Sequence, residues 1–402
     1  MASRVLSQEI EPGFHLLRVD DVDVEYFEGI WSIPEKVTYN AYLLVGDGGA
    51  VLFDGWKSIY ADGLIEAIRG IVDLKDITHV IVHHAEPDHS GSLPKVLEAN
   101  GFRAEVVAHP MAKPMIEAFY RIAPRFRLVK DGEELALAGE KIKIIYTPWL
   151  HWPETIMSYL PDRRALITCD AFGGYSTPRA IFDDDEGVVK KYLPSVRKYV
   201  ANIIGFYRQH ITRNIEKIQS LNLSIGILAP AHGLIWRRNP QLIIDYYRSL
   251  AEGRPDGNKI LIISGSMYRL LEKAAAIAAD EVERLGGRAI FYRFNDSSQP
   301  PFSEILSDAM DSRAIIIAAT TYEAGVYPPL EHLVDLISRK IPQKPVLVIG
   351  SYGWGPAAAR KISEKLASAG FKIIDKIEFQ GSASEEDIRR IREGVKMLLE
   401  SS

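Results

Sequence analysis

The chain has 402 residues, 47% of them hydrophobic and 25% charged, with a net charge of −5, enough apolar material for two cores of ordinary size and too little basic excess for a nucleic-acid or anionic-membrane surface. No run of eighteen or more apolar residues occurs, and the opening Met1-Ala2-Ser3-Arg4-Val5 lacks the apolar core of a signal peptide, so a cytoplasmic location is expected. The single cysteine, Cys169, excludes an intrachain disulfide and any four-cysteine iron site, and its place at a strand end reads as a small buried hydrophobe.

In the first half, short apolar runs bounded by turns predict strands over residues 41–44, 50–53, 79–82, 104–108, 141–146 and 165–168, with helices over 60–71 and 94–100 between them. Strands interleaved with helices in this way suit an αββα sandwich, two packed sheets covered by helices on their outer faces. Directly after the run Val80-Ile81-Val82 comes His83-His84-Ala85-Glu86-Pro87-Asp88-His89, five metal-capable side chains in seven residues. Pro87 fixes part of the loop backbone, and His84, Glu86, Asp88 and His89 can fan into one cleft.

Three more such groups follow, each at the end of a predicted strand beside a glycine or proline turn. They are His151 in Leu150-His151-Trp152-Pro153-Glu154, Asp170 after Ala165-Leu166-Ile167-Thr168-Cys169, and His232 in Pro230-Ala231-His232-Gly233. Strand ends place ligands rigidly while the following loop leaves one side open. Seven ligands are too many for one ion, so two metals are implied, and the two oxygens of Asp170 could bridge them. Mixed imidazole and carboxylate ligation with open positions is the environment of non-haem iron, and Glu86, where a zinc site would more readily use imidazole, moves the preference toward iron or manganese.

The segment Glu252-Gly253-Arg254-Pro255-Asp256-Gly257-Asn258 combines turn formers with charge and reads as an interdomain linker. Beyond it the rhythm becomes strand 259–264, helix 270–285, strand 288–292, helix 303–310, strand 313–319, helix 328–340, strand 345–350, helix 356–369, strand 371–378 and helix 384–399. This alternation predicts a doubly wound parallel sheet, whose ligands bind beyond the carboxyl ends of the strands. Three loops lie on that edge. Ser264, Ser266, Met267, Tyr268 and Arg269 open a helix, whose N–H groups favour a phosphate. Thr321, Tyr322 and Gly325 form the second loop. In the third, Ser351-Tyr352-Gly353-Trp354, aromatic side chains flank a glycine, so backbone and ring can both approach a planar cofactor.

The ligand set His84-x-Glu86-x-Asp88-His89, His151, Asp170 and His232, with Thr38-Tyr39-Asn40-Ala41-Tyr42-Leu43, Asp170-Ala171-Phe172-Gly173, His232-Gly233-Leu234-Ile235-Trp236-Arg237 and Gly350-Ser351-Tyr352-Gly353-Trp354, resembles the flavodiiron proteins, or A-type flavoproteins. The resemblance covers nearly the whole chain. It implies a metallo-β-lactamase-like diiron domain at 1–252 and a flavodoxin-like domain binding FMN at 257–402, with no fused rubredoxin. It also implies that His84, Glu86 and His151 hold one iron and Asp88, His89 and His232 the other, with Asp170 between them. Electrons passed through FMN would then reduce O2 to water or NO to N2O. A head-to-tail homodimer is implied, which brings the flavin of one chain to the diiron centre of the other. The donor is a separate rubredoxin, a flavin reductase or a reduced deazaflavin. Proton delivery is expected from His83, Tyr175 or water.

Three places depart from the family pattern, one of them Glu323 and Ala324 in the second loop, where Asn is common. His83 stands where Asn is usual and is expected to line the cleft or support the ligands. Arg269-Leu270-Leu271 stands where Gly, Ser or Asn, and Thr are usual, which removes two hydroxyl donors from the phosphate loop and leaves Ser264, Ser266 and the Arg269 guanidinium to compensate. The rival readings are a dinuclear zinc hydrolase of metallo-β-lactamase type with a degenerate flavodoxin-like domain, and a redox-inactive scaffold whose flavin site has decayed.

Overall fold

The computed structural model describes residues 3–401, so Met1, Ala2 and Ser402 lie outside it. Contacts divide the chain into two units: the first runs through Tyr199 and resumes at Gln209–Arg248, and the second comprises Val200–Arg208 and Ser249 onward.

The first unit is built on two sheets. One contains β1 (Arg4–Glu11), β2 (Phe14–Asp21), β5 (Val37–Gly46), β6 (Gly49–Phe53), β7 (Ile77–Val82), β8 (Glu105–Ala108) and β9 (Phe126–Leu128), side by side in that order. A small ribbon of β3 (Tyr26–Phe27) and β4 (Trp31–Ser32) lies outside it. The other contains β10 (Glu134–Leu137), β11 (Glu140–Tyr146), β12 (Ile156–Leu160), β13 (Ala165–Cys169) and β14 (Ile227–Pro230). Their inner faces meet in one core, where Phe14, Tyr42, Val51, Phe53 and Ile81 of the first sheet pack with Ile142, Ile144, Ile156, Ile167 and Ala229 of the second. The burial of these branched and aromatic side chains is the principal force holding the sandwich.

The β1–β2 hairpin has no strong counterpart in the sequence, because β1 is polar and mostly exposed and gains its structure by pairing with the buried β2. Likewise β12 is buried at all five positions and follows the turn that carries His151, so it has no polar alternation to announce it.

The second unit is a parallel sheet in the order β16 (Arg288–Phe294), β15 (Lys259–Gly265), β17 (Ala314–Tyr322), β19 (Pro345–Tyr352) and β20 (Lys372–Gln380), with β18 (Gly325–Val326) returning as a hairpin on β17. Strand order therefore reverses beside β15, and the loops that follow β15, β17 and β19 are neighbours at one edge. In the β17–β18 turn, Glu323 and Ala324 both adopt left-handed backbone, at φ 45° and 55°. A two-residue turn of this kind is more often built from Asn and Gly, so its chemistry is concealed in the sequence.

At the opposite end of this sheet Lys344 is buried and donates to the carbonyls of Ala309, Met310 and Ser312 at 2.8, 3.2 and 2.7 Å, closing the end of the helix Phe302–Met310. Burial pushes its ammonium down to about 7, against the pull of Asp311. Lys344→Met strands three buried acceptors and is expected to destabilise this unit by about 2–3 kcal/mol. The unfolded chain binds this proton up to the ordinary lysine range and the folded chain does not, so wild-type stability should climb as pH rises from about 7 toward 10. Urea midpoints across that range check both points: the variant should unfold earlier and lack this part of the climb.

Candidate metal centre and flavin site

All seven predicted metal ligands fall in the first unit, at the C-terminal ends of strands from both sheets. His84 and Glu86 follow β7, and Asp88 and His89 sit in the one-turn helix Pro87–Ser90 that Glu86 opens. His151 lies in the turn between β11 and β12, Asp170 follows β13, and His232 follows β14. The segment 38–42 of β5 explains itself here. Asn40 donates to the carbonyls of Pro230 and Gly233 at 3.0 and 3.2 Å, Tyr42 donates to Pro230 at 2.7 Å, and the Thr38 hydroxyl accepts from Gly233 N at 2.7 Å. Together they fix the turn that presents His232, whose Nδ1 donates to the Thr38 carbonyl at 2.7 Å.

The side chains form two sets that meet at Asp170. Glu86 Oε2 lies 3.2 Å from His84 Nε2 and 3.0 Å from His151 Nε2, and Asp170 Oδ2 lies 3.5 Å from each of these nitrogens. On the other side, Asp170 Oδ1 lies 3.1 Å from both His89 Nε2 and His232 Nε2. Asp88 approaches the same two imidazoles at 3.3 and 3.6 Å. Donor atoms bound about 2.1 Å from one ion and at right angles are about 3 Å apart, so these spacings are those of neighbouring ligands around two cations. One oxygen of Asp170 faces each set.

A second observation tests the fit of a cation. Both oxygens of Asp88, Oδ2 of Asp170 and Nδ1 of His89 are buried without a hydrogen-bond partner. Buried carboxylate oxygens in that condition are costly unless a positive charge sits beside them. The protein's own charges are arranged to the same end. Burial alone would lower the His89 imidazolium, yet Asp88 and Asp170 outweigh it and carry it up to about 9. His84 is likewise buried, and Glu154, Glu86 and Asp170 raise it well above the ordinary histidine range. Burial would raise Asp170, but His89, His232 and His151 hold it well below the carboxylate range. The same negative field that favours protons on these imidazoles would favour a metal cation in their place.

Support behind the ligands comes from groups to which the sequence assigned no role. Glu154, fully buried, accepts from His84 Nδ1 at 2.7 Å and from Ala85 N at 3.1 Å, which fixes the ring with Nε2 toward Glu86. Tyr199, at the end of the helix Glu186–Tyr199, donates to Asp170 Oδ1 at 2.6 Å. Tyr175, the tyrosine expected to deliver protons, is buried edge-on against the rings of Phe27 and Tyr199, and the hydroxyl that reaches the ligand set is Tyr199's. His83 also differs from a cleft-lining residue. Its ring is fully buried and stacked on Phe53, with Nδ1 on Asp54 at 2.6 Å and Nε2 on the Ser158 hydroxyl at 2.8 Å. Strand alternation explains this: His83 and His84 leave β7 on opposite faces, and only His84 meets the cluster. Cys169 is buried beside His89 and Asp170, and burial pushes its thiol well up, so it stays neutral there.

A cavity of about 510 Å³ in this unit, floored by Phe172, Ile215 and Ile244, holds none of the seven ligands.

In the second unit the three predicted loops come together at the reversal edge, and their groups divide into occupied and available. The Thr321 hydroxyl accepts from Ala357 N and Ala358 N at 3.2 and 3.1 Å, capping the helix Ala358–Ser368, and Ser351 donates to Gly381 O at 2.7 Å. Both hydroxyls brace their loops; Ser351 spends its proton on Gly381, while Thr321 accepts two N–H groups and keeps its own O–H. Gly325 pairs with Tyr322 in the β17–β18 hairpin. Ser266 is buried with its N–H on Phe294 O at 3.0 Å, and Met267 beside it is half-buried. Available groups are the Ser264 hydroxyl, fully buried and unpartnered, and the aromatic side chains of Tyr268 and Trp354, 81% and 83% exposed at the loop tips. Gly353, between Tyr352 and Trp354, has open space where a side chain would stand. An edge with bare aromatic rings, open backbone and a buried unpaired hydroxyl fits a planar cofactor with a polar tail.

Comparisons with known proteins agree with both halves. Residues 37–233 match the ODP family beta lactamase and residues 262–394 match flavodoxin. A nitric oxide reductase of Moorella thermoacetica is 30% identical over 91% of this chain and 90% of its own length. A rubredoxin-oxygen oxidoreductase of Megalodesulfovibrio gigas is 30% identical over the same shares. A mutant flavo di-iron protein from Thermotoga maritima superposes with a TM-score of 0.94 at 40% identity, covering 100% of this chain and 99% of that one. The chain belongs to the flavodiiron proteins. As a flavodiiron protein it is an oxidoreductase with a β-lactamase-like and a flavodoxin-like domain, and the two side-chain sets that meet at Asp170 could hold metal ions. Among the described residues no helix is long and apolar enough to cross a membrane.

Proposed function

We propose that this chain reduces O2 to water, NO to N2O, or both, at a diiron centre held by His84, Glu86, His151, Asp88, His89, His232 and Asp170, with electrons passed through FMN. The observation that carries the reading is the division of Asp170 between two ligand sets, each mixing imidazole with carboxylate. When bound, two irons would supply paired one-electron chemistry, and FMN would relay electrons to them from a donor. The chain's own residues do the rest. Glu154 and the Thr38 carbonyl orient the imidazoles, and the Tyr199 hydroxyl, 2.6 Å from Asp170 Oδ1, holds a proton beside the centre. His83 acts from behind, its carbonyl accepting from Ile156 N at 3.0 Å and so tying β7 to β12 under the first ligand.

In the same reading the domains are 1–252 and 257–402, the protein works in the cytoplasm as a head-to-tail homodimer, and a separate rubredoxin, flavin reductase or reduced deazaflavin supplies electrons. The names of the relatives support the two gases and, for some, rubredoxin. The decisive experiment measures metal and flavin in the purified protein and follows O2 and NO consumption in parallel, with one artificial donor that reduces FMN. Iron, flavin and flavin-dependent loss of either gas are expected. Zinc without flavin, and no consumption of either gas, would replace this reading with the hydrolase.

A further inference from the structure

Position 269 opens the helix Leu270–Arg284 with left-handed backbone, φ 61°, and provides no side-chain cap to the free N–H groups of the first turn. Arginine rarely adopts that backbone without compensation. Here its guanidinium reaches out of the loop to the turn after β16, with Nε and Nη2 3.1 and 2.7 Å from Asp296 Oδ1 and Nη2 2.7 Å from the Ser297 hydroxyl. The same turn is tied a second time, through Asn295 Nδ2 to Glu272 Oε1 at 2.5 Å, and Asn295 Oδ1 accepts from Ser297 N at 2.9 Å. Two carboxylates, Asp296 and Glu272, therefore stand beside a helix N-terminus that would otherwise attract an anion.

The anion's side of the site is independently prepared. Ile260 and Ile262 of β15 pack with Leu271 and Ala274 of this helix, so alternation along the strand aims Ser264 at the same face, just under the first turn. Its hydroxyl is fully buried and without a partner. Arg269, by contrast, is exposed and its pair with Asp296 faces solvent, so the pair is weak enough to exchange.

We propose that Arg269 is a latch for the flavin phosphate: it exchanges Asp296 and Ser297 for the phosphate of the entering mononucleotide, and the Asp296 carboxylate, as the competing anion, sets how tightly this domain holds phosphorylated flavin. The proposal rests on reading the second unit as an FMN site, and deepens it by naming what discriminates FMN from riboflavin. The phosphate dianion offers three acceptor oxygens to a guanidinium fork, where Asp296 uses one. Asp296 holds the arginine side chain and would also repel the dianion.

The test titrates the full chain, stripped of flavin, with FMN and separately with riboflavin, following quenching of flavin fluorescence. Arg269→Gln should weaken FMN by roughly ten- to a hundredfold and leave riboflavin within about twofold. Asp296→Asn should tighten FMN several-fold, with a steeper loss of affinity as salt rises because the guanidinium charge is no longer neutralised, and should have a clearly smaller effect on the Arg269→Gln background, where only the direct repulsion is relieved. Unchanged FMN affinity in Arg269→Gln, or an equal loss for both flavins, overturns the latch. If the wild-type chain binds neither flavin, the FMN reading itself fails.

Discussion

Asp170→Asn is expected to reduce the iron content from about two per chain to about one or less and to lower turnover by on the order of a thousandfold. The substitution keeps the shape of the side chain but replaces one carboxylate oxygen by an amide nitrogen, which cannot ligate. Because Oδ1 serves His89 and His232 while Oδ2 serves His84 and His151, loss of either oxygen detaches one set. Metal analysis together with gas consumption checks the point, and circular dichroism shows whether the fold is retained. Two irons per chain with wild-type turnover would mean that the two sets do not share this carboxylate.

Glu154→Ala should be the most damaging change outside the ligands. It leaves His84 Nδ1 and Ala85 N without their buried acceptor and frees the imidazole to turn. Loss of such a partner typically costs about 10- to 100-fold in metal affinity, and here it should fall on the His84, Glu86 and His151 set. Competition with a chelator during iron removal would show one iron leaving early. Glu154→Gln, which retains a carbonyl acceptor but not the charge, should recover part of the affinity. Simultaneous loss of both irons at the wild-type chelator concentration would indicate that Trp152, edge-on to His84 at 4.9 Å, and Glu86 suffice to hold the ring.

The ligands were legible because metal chemistry writes itself locally. Four of them fall within six residues after a strand, and the other three each close an apolar run. The β/α alternation of the second half was legible for a similar reason, since a buried parallel strand must be a short apolar run and its crossover helix must follow. The supports of the site were not. Tyr199 and Asp170, Glu154 and His84, Thr38 and His232 are 29, 70 and 194 residues apart, and nothing about a tyrosine at the end of a helix says which carboxylate it will meet. Hydroxyls were the least legible of all. Thr321, Ser351 and Ser264 read alike as donors beside a flavin, and only the neighbouring backbone separates the two that cap and brace their loops from the one with no partner.

The amino-acid sequence by itself determined which residue types gather at strand ends, hence two metals, a mixed donor set and a second domain built to hold a ligand at its sheet edge. Tertiary structure alone decided direction. It turned His84 into the cluster and its neighbour His83 away, divided Asp170 between two sets, and gave Arg269 to Asp296. Composition and spacing fix what a side chain can do, but where it points depends on which face of a strand it leaves and which distant backbone group is already waiting there.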